Sequence, residues 1–175
     1  NKFGEMIGLA LRDEYPLSMR AARIVALCTE NNPQLIEPHL QTIVDALEGI
    51  QVEGVKRSFL KIFAETSIRL NENMLGFLTD RCFTWLADPK EAIAIRYYAI
   101  DILLKVVKLY PEIKVELSES LSSILQNDSS ALKAKSRKVI KSLEKALKIN
   151  AGETTVDKKF TLLTVNCLGW CHKGP

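Results

Sequence analysis

The sequence predicts an all-α fold, an α-α superhelix (solenoid) in which about four helical hairpins stack one on the next. Apolar residues recur at the three- and four-residue spacing of amphipathic helices, and the alternation typical of β-strands does not occur before residue 154. The same pattern of residue types also returns about every 40 residues along the chain, a period typical of stacked helical repeats. Together these two observations indicate a repeat architecture rather than a single irregular helical bundle.

Two independent columns of residues mark the period. Four arginines stand 37, 39 and 41 residues apart, and each begins an apolar run of helical spacing: Arg20, Arg57, Arg96 and Arg137. In the preceding helices three leucines stand 39 residues apart: Leu47, Leu86 and Leu125. A single hairpin cannot bury its apolar face alone, so a repeated hairpin predicts a core formed by stacking.

The turns between helices agree with this period. An aspartate lies between the two helices of three units: Asp13, Asp88 and Asp128. Pro38 falls within a helical run, where proline is expected to kink the helix or delay its start. We therefore predict a repeat domain over residues 1–150, with an irregular C-terminal tail over 151–175 and units at about 1–31, 32–71, 72–110 and 111–149.

These units resemble HEAT repeats. The resemblance covers residues 1 to about 148 and rests on the two-helix unit, its period, the aspartate between the helices and the arginine early in the second helix. It implies that these aspartates and arginines tie neighbouring units together, and that the second helices line a concave groove. The sequence departs from the pattern twice. Glu48-Gly49-Ile50-Gln51 stands where unit two should carry its aspartate, and Lys135-Ser136 precedes Arg137 in place of an apolar residue.

No motif for catalysis, a cofactor or a metal is evident. The chain has neither a glycine-rich phosphate loop nor a His-Glu-x-x-His motif, and its two histidines are far apart. Cys167-Leu-Gly-Trp-Cys171-His172 supplies at most three zinc ligands and would need a fourth from elsewhere. We interpret this segment as part of the tail, with a metal site as the less favoured alternative, and expect a protein that is not an enzyme.

Composition indicates a cytoplasmic protein. No run of 18 apolar residues occurs, so no membrane span is expected. Cys28 and Cys82 lie in apolar helical runs, where free thiols behave as small hydrophobic groups, which favours a reducing compartment. Charge is uneven, because Lys and Arg exceed Asp and Glu only towards the C-terminal end of the sequence.

That basic end includes the last predicted helix. Lysines and one arginine recur on one face of this helix at steps of three or four residues: Lys133, Arg137, Lys141, Lys145 and Lys148, with Lys138 beside them. The favoured interpretation is the solvated outer face of a terminal capping helix. The alternative is a contact surface for nucleic acid or another acidic partner.

The second helix of unit three supplies another candidate surface. Tyr97, Asp101, Lys105 and Lys108 form a polar stripe on an otherwise apolar helix. The favoured interpretation is a solvated face with ion pairs between residues four apart, such as Asp101 with Lys105. A partner-binding groove would use the same residues.

From these features we expect a non-enzymatic protein-binding or scaffold module with an unidentified protein partner, no cofactor and no small-molecule substrate. The alternative is a nucleic-acid-binding protein, in the manner of the HEAT-like DNA glycosylases or as a binder of the phosphate backbone. The protein-binding module would use the second-helix face, and the nucleic-acid alternative would use the basic last helix and the second-helix groove. The candidate partner-binding residues are Tyr97, Asp101, Lys105, Lys108, Lys138, Lys141 and Lys145.

Overall fold

The computed structural model describes residues 2–147, with side chains described up to residue 143. Over this range the chain is helical and contains no strand. Its eight α-helices are α1 (Lys2–Leu11), α2 (Leu17–Asn31), α3 (Leu40–Ala46), α4 (Glu53–Glu65), α5 (Glu72–Ala87), α6 (Ile93–Leu109), α7 (Lys114–Asn127) and α8 (Ser130–Leu147). The predicted all-α fold is confirmed.

The chain divides into two compact units, Asn1–Pro111 and Glu112–Pro175. In the first unit α1 packs on α2 and α5 packs on α6, and the second helices α2, α4 and α6 lie side by side. In the second unit α7 packs on α8. Helices packed in adjacent pairs of this kind are the arrangement expected for a HEAT-like helical solenoid.

The core of the first unit lies where these helices meet. Val25 of α2, Phe59 of α4 and Ile100 of α6 are completely buried, as are Leu47 and Leu86 of the leucine column. Burying a large apolar side chain of this type stabilises the fold by roughly 1.5–3 kcal/mol. The recurrence of Leu47 and Leu86 therefore follows from burial at equivalent places in successive hairpins, whereas Leu125 of the same column is only half-buried.

The first helix of the second hairpin is shorter than its apolar run predicts. Two 3-10 turns, Pro33–Leu35 and Glu37–His39, precede α3, which begins only at Leu40. Pro38 accounts for the delay, because its ring has no N–H to donate and clashes with the preceding turn of an α-helix.

Asp13 connects the first hairpin to the second. Its backbone has a φ of 57°, the left-handed conformation that aspartate tolerates better than most residues. In this position its carboxylate accepts hydrogen bonds from the backbone N–H groups of Gln51 (2.6 Å) and Val52 (2.9 Å). These two residues lie one repeat period further along the chain and immediately precede α4.

Different side chains connect the second hairpin to the third. Lys56 of α4 forms an ion pair with Glu91 (3.1 Å) and lies 5.2 Å from the ring centroid of Trp85. Arg81 of α5 binds Glu48 (2.7 Å), within the segment where the repeat lacks its aspartate. Two ion pairs therefore occupy the junction where the sequence departs from the pattern.

The remaining aspartates and arginines of the repeat pattern differ in their surroundings. Arg96 is buried (4% exposed) and donates through Nε (3.2 Å) and Nη2 (3.1 Å) to the Leu86 carbonyl oxygen within its own hairpin. The other three arginines are exposed: Arg20, Arg57 and Arg137. The carboxylates of the two later aspartates accept local backbone bonds, Asp88 from Lys90 and Asp128 from Ser129.

Replacing Asp13 tests the connection between the first two hairpins. Asp13→Ala removes the acceptor of two backbone N–H groups and places alanine at positive φ, so we expect a loss of about 1–3 kcal/mol in the free energy of unfolding. Urea denaturation followed by circular dichroism measures this loss. Asp13→Asn keeps one acceptor oxygen and tolerates the backbone conformation, so its loss should be smaller.

Asp45→Ala is the matched control for this experiment. Asp45 is exposed and, within the described residues, accepts its side-chain hydrogen bond from Gln41, one turn away in the same helix, so its removal should change stability by less than about 0.5 kcal/mol. Equal changes for Asp13→Ala and Asp45→Ala would contradict a connecting role for Asp13.

Candidate functional site

A groove of about 820 Å³ crosses the second helices of the first unit. It is called the second-helix groove below. Its lining comes from α2, α4 and α6 and from the residue that precedes α6: Arg23, Ala26, Leu27, Glu30, Glu53, Arg57, Ser58, Lys61, Ala92, Ile93, Ala94, Tyr97 and Tyr98.

The helical period places these residues on the open side of the stacked helices. In α2 the buried positions include Ala22 and Val25, which face the neighbouring helices, while Leu27 lies outside this stripe. Three large apolar side chains consequently remain accessible in the groove, with exposed fractions of 50% for Leu27, 50% for Ile93 and 38% for Tyr97. Single exposed apolar residues are normal in proteins, but three in one groove form a candidate contact surface.

Charges of both signs accompany this apolar lining. Lys61 of α4 forms ion pairs with Glu30 of α2 and, at 3.5 Å, with Glu65 one turn away. The hydrogen bond to Glu30 is the main cause that raises the pKa of Lys61. Arg23 and Arg57 are exposed, and neither forms a salt bridge within the described part of the chain. Their guanidinium groups are therefore available to carboxylates from outside.

The structure separates the four residues of the predicted α6 stripe. Tyr97 lies in the second-helix groove, where its ring meets Tyr98 edge-on with the centroids 6.1 Å apart. Asp101 is half-buried one turn further along and does not line the groove. Lys105 and Lys108 line a different cavity at the end of α6.

Lys105 forms hydrogen bonds with the backbone of the neighbouring hairpin. Its ammonium donates to the carbonyl oxygens of Phe63 (2.9 Å) and Thr66 (2.7 Å), and burial lowers its pKa. Two of its protons are therefore bound at the C-terminal end of α4, where the sequence predicted a solvated lysine. Carbonyl groups at a helix C-terminus lack intrahelical partners, which makes them good acceptors for a lysine.

The basic face of α8 lies in the second unit. Lys138 and Lys141 are exposed there, as is Arg137. Lys133 donates to the carbonyl oxygen of Gln126 (3.3 Å). The side chain of Lys145 and the whole of Lys148 fall outside the described residues, so the prediction of a continuous basic face stays a prediction.

Within the described residues, the structure contains no cluster of metal ligands, and Cys82 is an unreactive buried thiol. Cys82 is completely buried, and burial raises the pKa of its thiol, which disfavours the reactive thiolate. No group of three or more His, Cys, Asp or Glu side chains that could hold a metal ion occurs within residues 2–143. Cys167, Cys171 and His172 lie outside the described residues.

Among the helices that the structure describes, none combines the length and the apolar composition that a membrane span requires.

Of the residues that line the groove, the sequence analysis included Tyr97 among its candidates but did not include Arg23, Leu27 or Ile93. The sequence pattern of α2 could have predicted that Leu27 is exposed. Alanine and valine positions in α2 define a narrow buried stripe, and Leu27 falls beside it rather than within it. Ile93 gave no such signal, because it begins a helix that is apolar around most of its circumference.

Comparison with known proteins gives two kinds of match. The chain is 65% identical over 34 residues to the E subunit of NADH-quinone oxidoreductase from Buchnera aphidicola subsp. Baizongia pistaciae, which is 19% of this chain and 20% of that protein. The corresponding protein of Escherichia coli K12 is 61% identical over 33 residues, again 19% of this chain and 20% of that protein. The chain thus spans about a fifth of the length of these curated relatives.

No solved structure matches the chain. A family model described as a HEAT repeat domain matches residues 1–143, which includes every hairpin of the first unit and most of α8. The repeat period, the paired helices and this match agree, and the chain belongs to the HEAT repeat family.

Proposed function

We propose that the chain is a non-enzymatic protein-binding or scaffold module that holds its partner in the second-helix groove. The observation that carries this proposal is the combination, in one groove of about 820 Å³, of three accessible apolar side chains with charges of both signs. HEAT repeat proteins commonly act in protein interactions, which agrees with this proposal. We also propose a reducing, cytoplasmic location, in which Cys28 and Cys82 stay free thiols.

Each part of the groove has a role in such binding. Leu27, Ile93 and Tyr97 provide apolar area, and burying it against a partner contributes about 25 cal/mol per Å². Tyrosine and arginine are the residue types most often found at energetically important positions in protein interfaces. Arg23 and Arg57 would pair with carboxylates of the partner and fix its orientation.

A nucleic-acid partner fits this groove less well. Phosphate backbones require a continuous positive track, whereas Glu30 and Glu53 line the groove beside its cations. The charge of Lys61 is already paired with Glu30. The nucleic-acid alternative therefore depends mainly on the basic face of α8, including Lys138, Lys141 and Lys145.

Charge substitutions in the groove test the main proposal. Leu27→Glu or Ile93→Glu places a carboxylate in the apolar part of the groove, so we expect recovery of a partner on the immobilised full chain to fall about tenfold or more. Quantitative mass spectrometry of proteins retained from cell extract measures the recovery. Circular dichroism of each variant shows that the helices persist, since both positions are half-exposed.

Gln41→Glu is the matched control, because Gln41 is exposed on α3, a first helix, and does not line the groove. It adds the same charge and should leave recovery unchanged. Equal loss of partner recovery from all three variants, or from none, would contradict binding in the groove.

Binding of labelled DNA or RNA that weakens steeply between about 50 and about 200 mM salt, and that Lys138→Glu with Lys141→Glu abolishes, would favour the nucleic-acid alternative.

The short match to a component of NADH-quinone oxidoreductase supports a second proposal. The HEAT repeat match ends at residue 143, and the part that follows, residues 144–175, is close in length to the 33–34 matched residues. We propose that this C-terminal segment carries the similarity, and that through it the chain associates with an oxidoreductase of this type. The enzymatic activity of the complete oxidoreductase is not part of the proposal, because the match covers only 20% of the related protein.

Direct binding tests the second proposal. We expect the full chain to bind purified, detergent-solubilised NADH-quinone oxidoreductase in biolayer interferometry, and Leu27→Glu to bind equally well because the groove is not involved. Binding that Leu27→Glu abolishes would assign the oxidoreductase to the groove instead. Absence of binding by the wild-type chain would refute the association.

A further inference from the structure

A second cavity in the first unit, of about 570 Å³, is distinct from the second-helix groove. The two cavities share no lining residue. It lies at the C-terminal end of α4, beside the connecting segment 66–71 and between α5 and α6. Asn71 fixes that segment by capping α5, since its side-chain oxygen accepts a bond from the Met74 N–H (2.8 Å). The segment 66–71 is therefore held as a wall of the cavity.

Most of the lining is apolar. Leu78, Ile102 and Val106 are buried at the base, and Ile68, Leu70 and Leu75 are half-buried along the walls. Leu109 remains 67% exposed at the end of α6. Volumes of 300–1,000 Å³ and mainly apolar walls are typical of small-molecule sites, and this cavity meets both criteria.

The charged lining residues are all cations: Arg69, Lys105 and Lys108. No carboxylate contributes to the lining. Arg69 and Lys108 are exposed, and neither forms a salt bridge within the described residues. An apolar cavity with three positive charges and no negative one is complementary to a ligand with an apolar body and an anionic end.

Lys105 makes the end of α4 compatible with an anion. The unpaired carbonyl groups at a helix C-terminus carry partial negative charge and would repel a carboxylate. The Lys105 ammonium binds two such carbonyls, of Phe63 and Thr66, and retains a third N–H. The lysine thus offsets the partial negative charge of the helix end and leaves this part of the cavity wall positive overall.

We propose that this cavity binds a soluble, single-chain anionic amphiphile of the fatty-carboxylate class. The alkyl chain would lie against Leu75, Leu78 and Val106. The carboxylate would be bound by Arg69 and Lys108, and Lys105 would offset the repulsion from the C-terminal end of α4. This site is independent of the proposed protein-binding groove, so either can fail without the other.

Decanoate is the probe, at concentrations below micelle formation. Isothermal titration calorimetry of the full chain should give saturable binding with one site per chain. Two ligands with a ten-carbon chain, like that of decanoate counted with its carboxylate carbon, separate charge from hydrophobicity: decanol, which is neutral, and decyltrimethylammonium, which is cationic. We expect both to bind at least about tenfold more weakly than decanoate, because they forfeit the pairing with the lining cations.

Paired variants locate the site. Arg69→Glu combined with Lys108→Glu should weaken decanoate binding about tenfold or more while leaving the helical circular dichroism signal intact, since both side chains are exposed. Arg12→Glu combined with Lys90→Glu makes the same change in net charge at exposed positions outside the cavity and should leave binding unchanged. Leu75→Trp should also abolish binding by filling the space for the alkyl chain.

Three results would overturn the proposal. The first is absence of saturable decanoate binding by the wild-type chain. The second is equal affinity for decanoate and decyltrimethylammonium, which would indicate non-specific hydrophobic association. The third is equal weakening by the Arg69/Lys108 and Arg12/Lys90 pairs, which would reflect net charge alone.

Discussion

The structure of the first unit depends on the burial of the second helices against one another. The second helices α2, α4 and α6 pack against one another across successive hairpins, and Val25, Phe59 and Ile100 on these helices are completely buried. Backbone N–H groups of Gln51 and Val52 and carbonyl groups of Phe63 and Thr66 also lie at the hairpin junctions, and such groups need a partner where water is excluded. The polar contacts at the junctions meet this second requirement.

These junction contacts decide which charged residues remain available for function. Asp13, Lys56 and Lys105 bind groups of the adjacent hairpin, and each thereby becomes part of the stacked structure. Arg23 and Arg57 in the groove, like Arg69 and Lys108 at the cavity, lie at the surface without ion pairs among the described residues. The proposed functions therefore rest on the second set, whose charges are not used to hold the fold together.

The sequence was sufficient to predict the fold because stacking imposes a period. The leucines at positions 47 and 86 recur because both are buried at equivalent places, and Pro38 delays α3 for a reason visible in the sequence. The burial and the hydrogen-bond partners of individual polar residues could not be predicted in the same way. Arg96 is buried and donates to the Leu86 carbonyl, while Arg57 lines the groove, although both occupy the same repeat position. Likewise the spacing of residues along α6 could not reveal that Lys105 binds carbonyl groups at the end of α4, because that contact joins positions about 40 residues apart.

Site-specific photo-crosslinking shows whether a partner in the cell contacts the second-helix groove. A benzophenone amino acid is introduced at Leu27, at Ile93 or, as the reference, at Gln41 on α3, and the full chain is irradiated in cells. We expect one adduct of the same mass from Leu27 and Ile93 and none from Gln41, because the first two side chains line one groove from different helices. Adducts from Gln41 with none from either groove position would contradict this expectation and place the contact surface on the first helices.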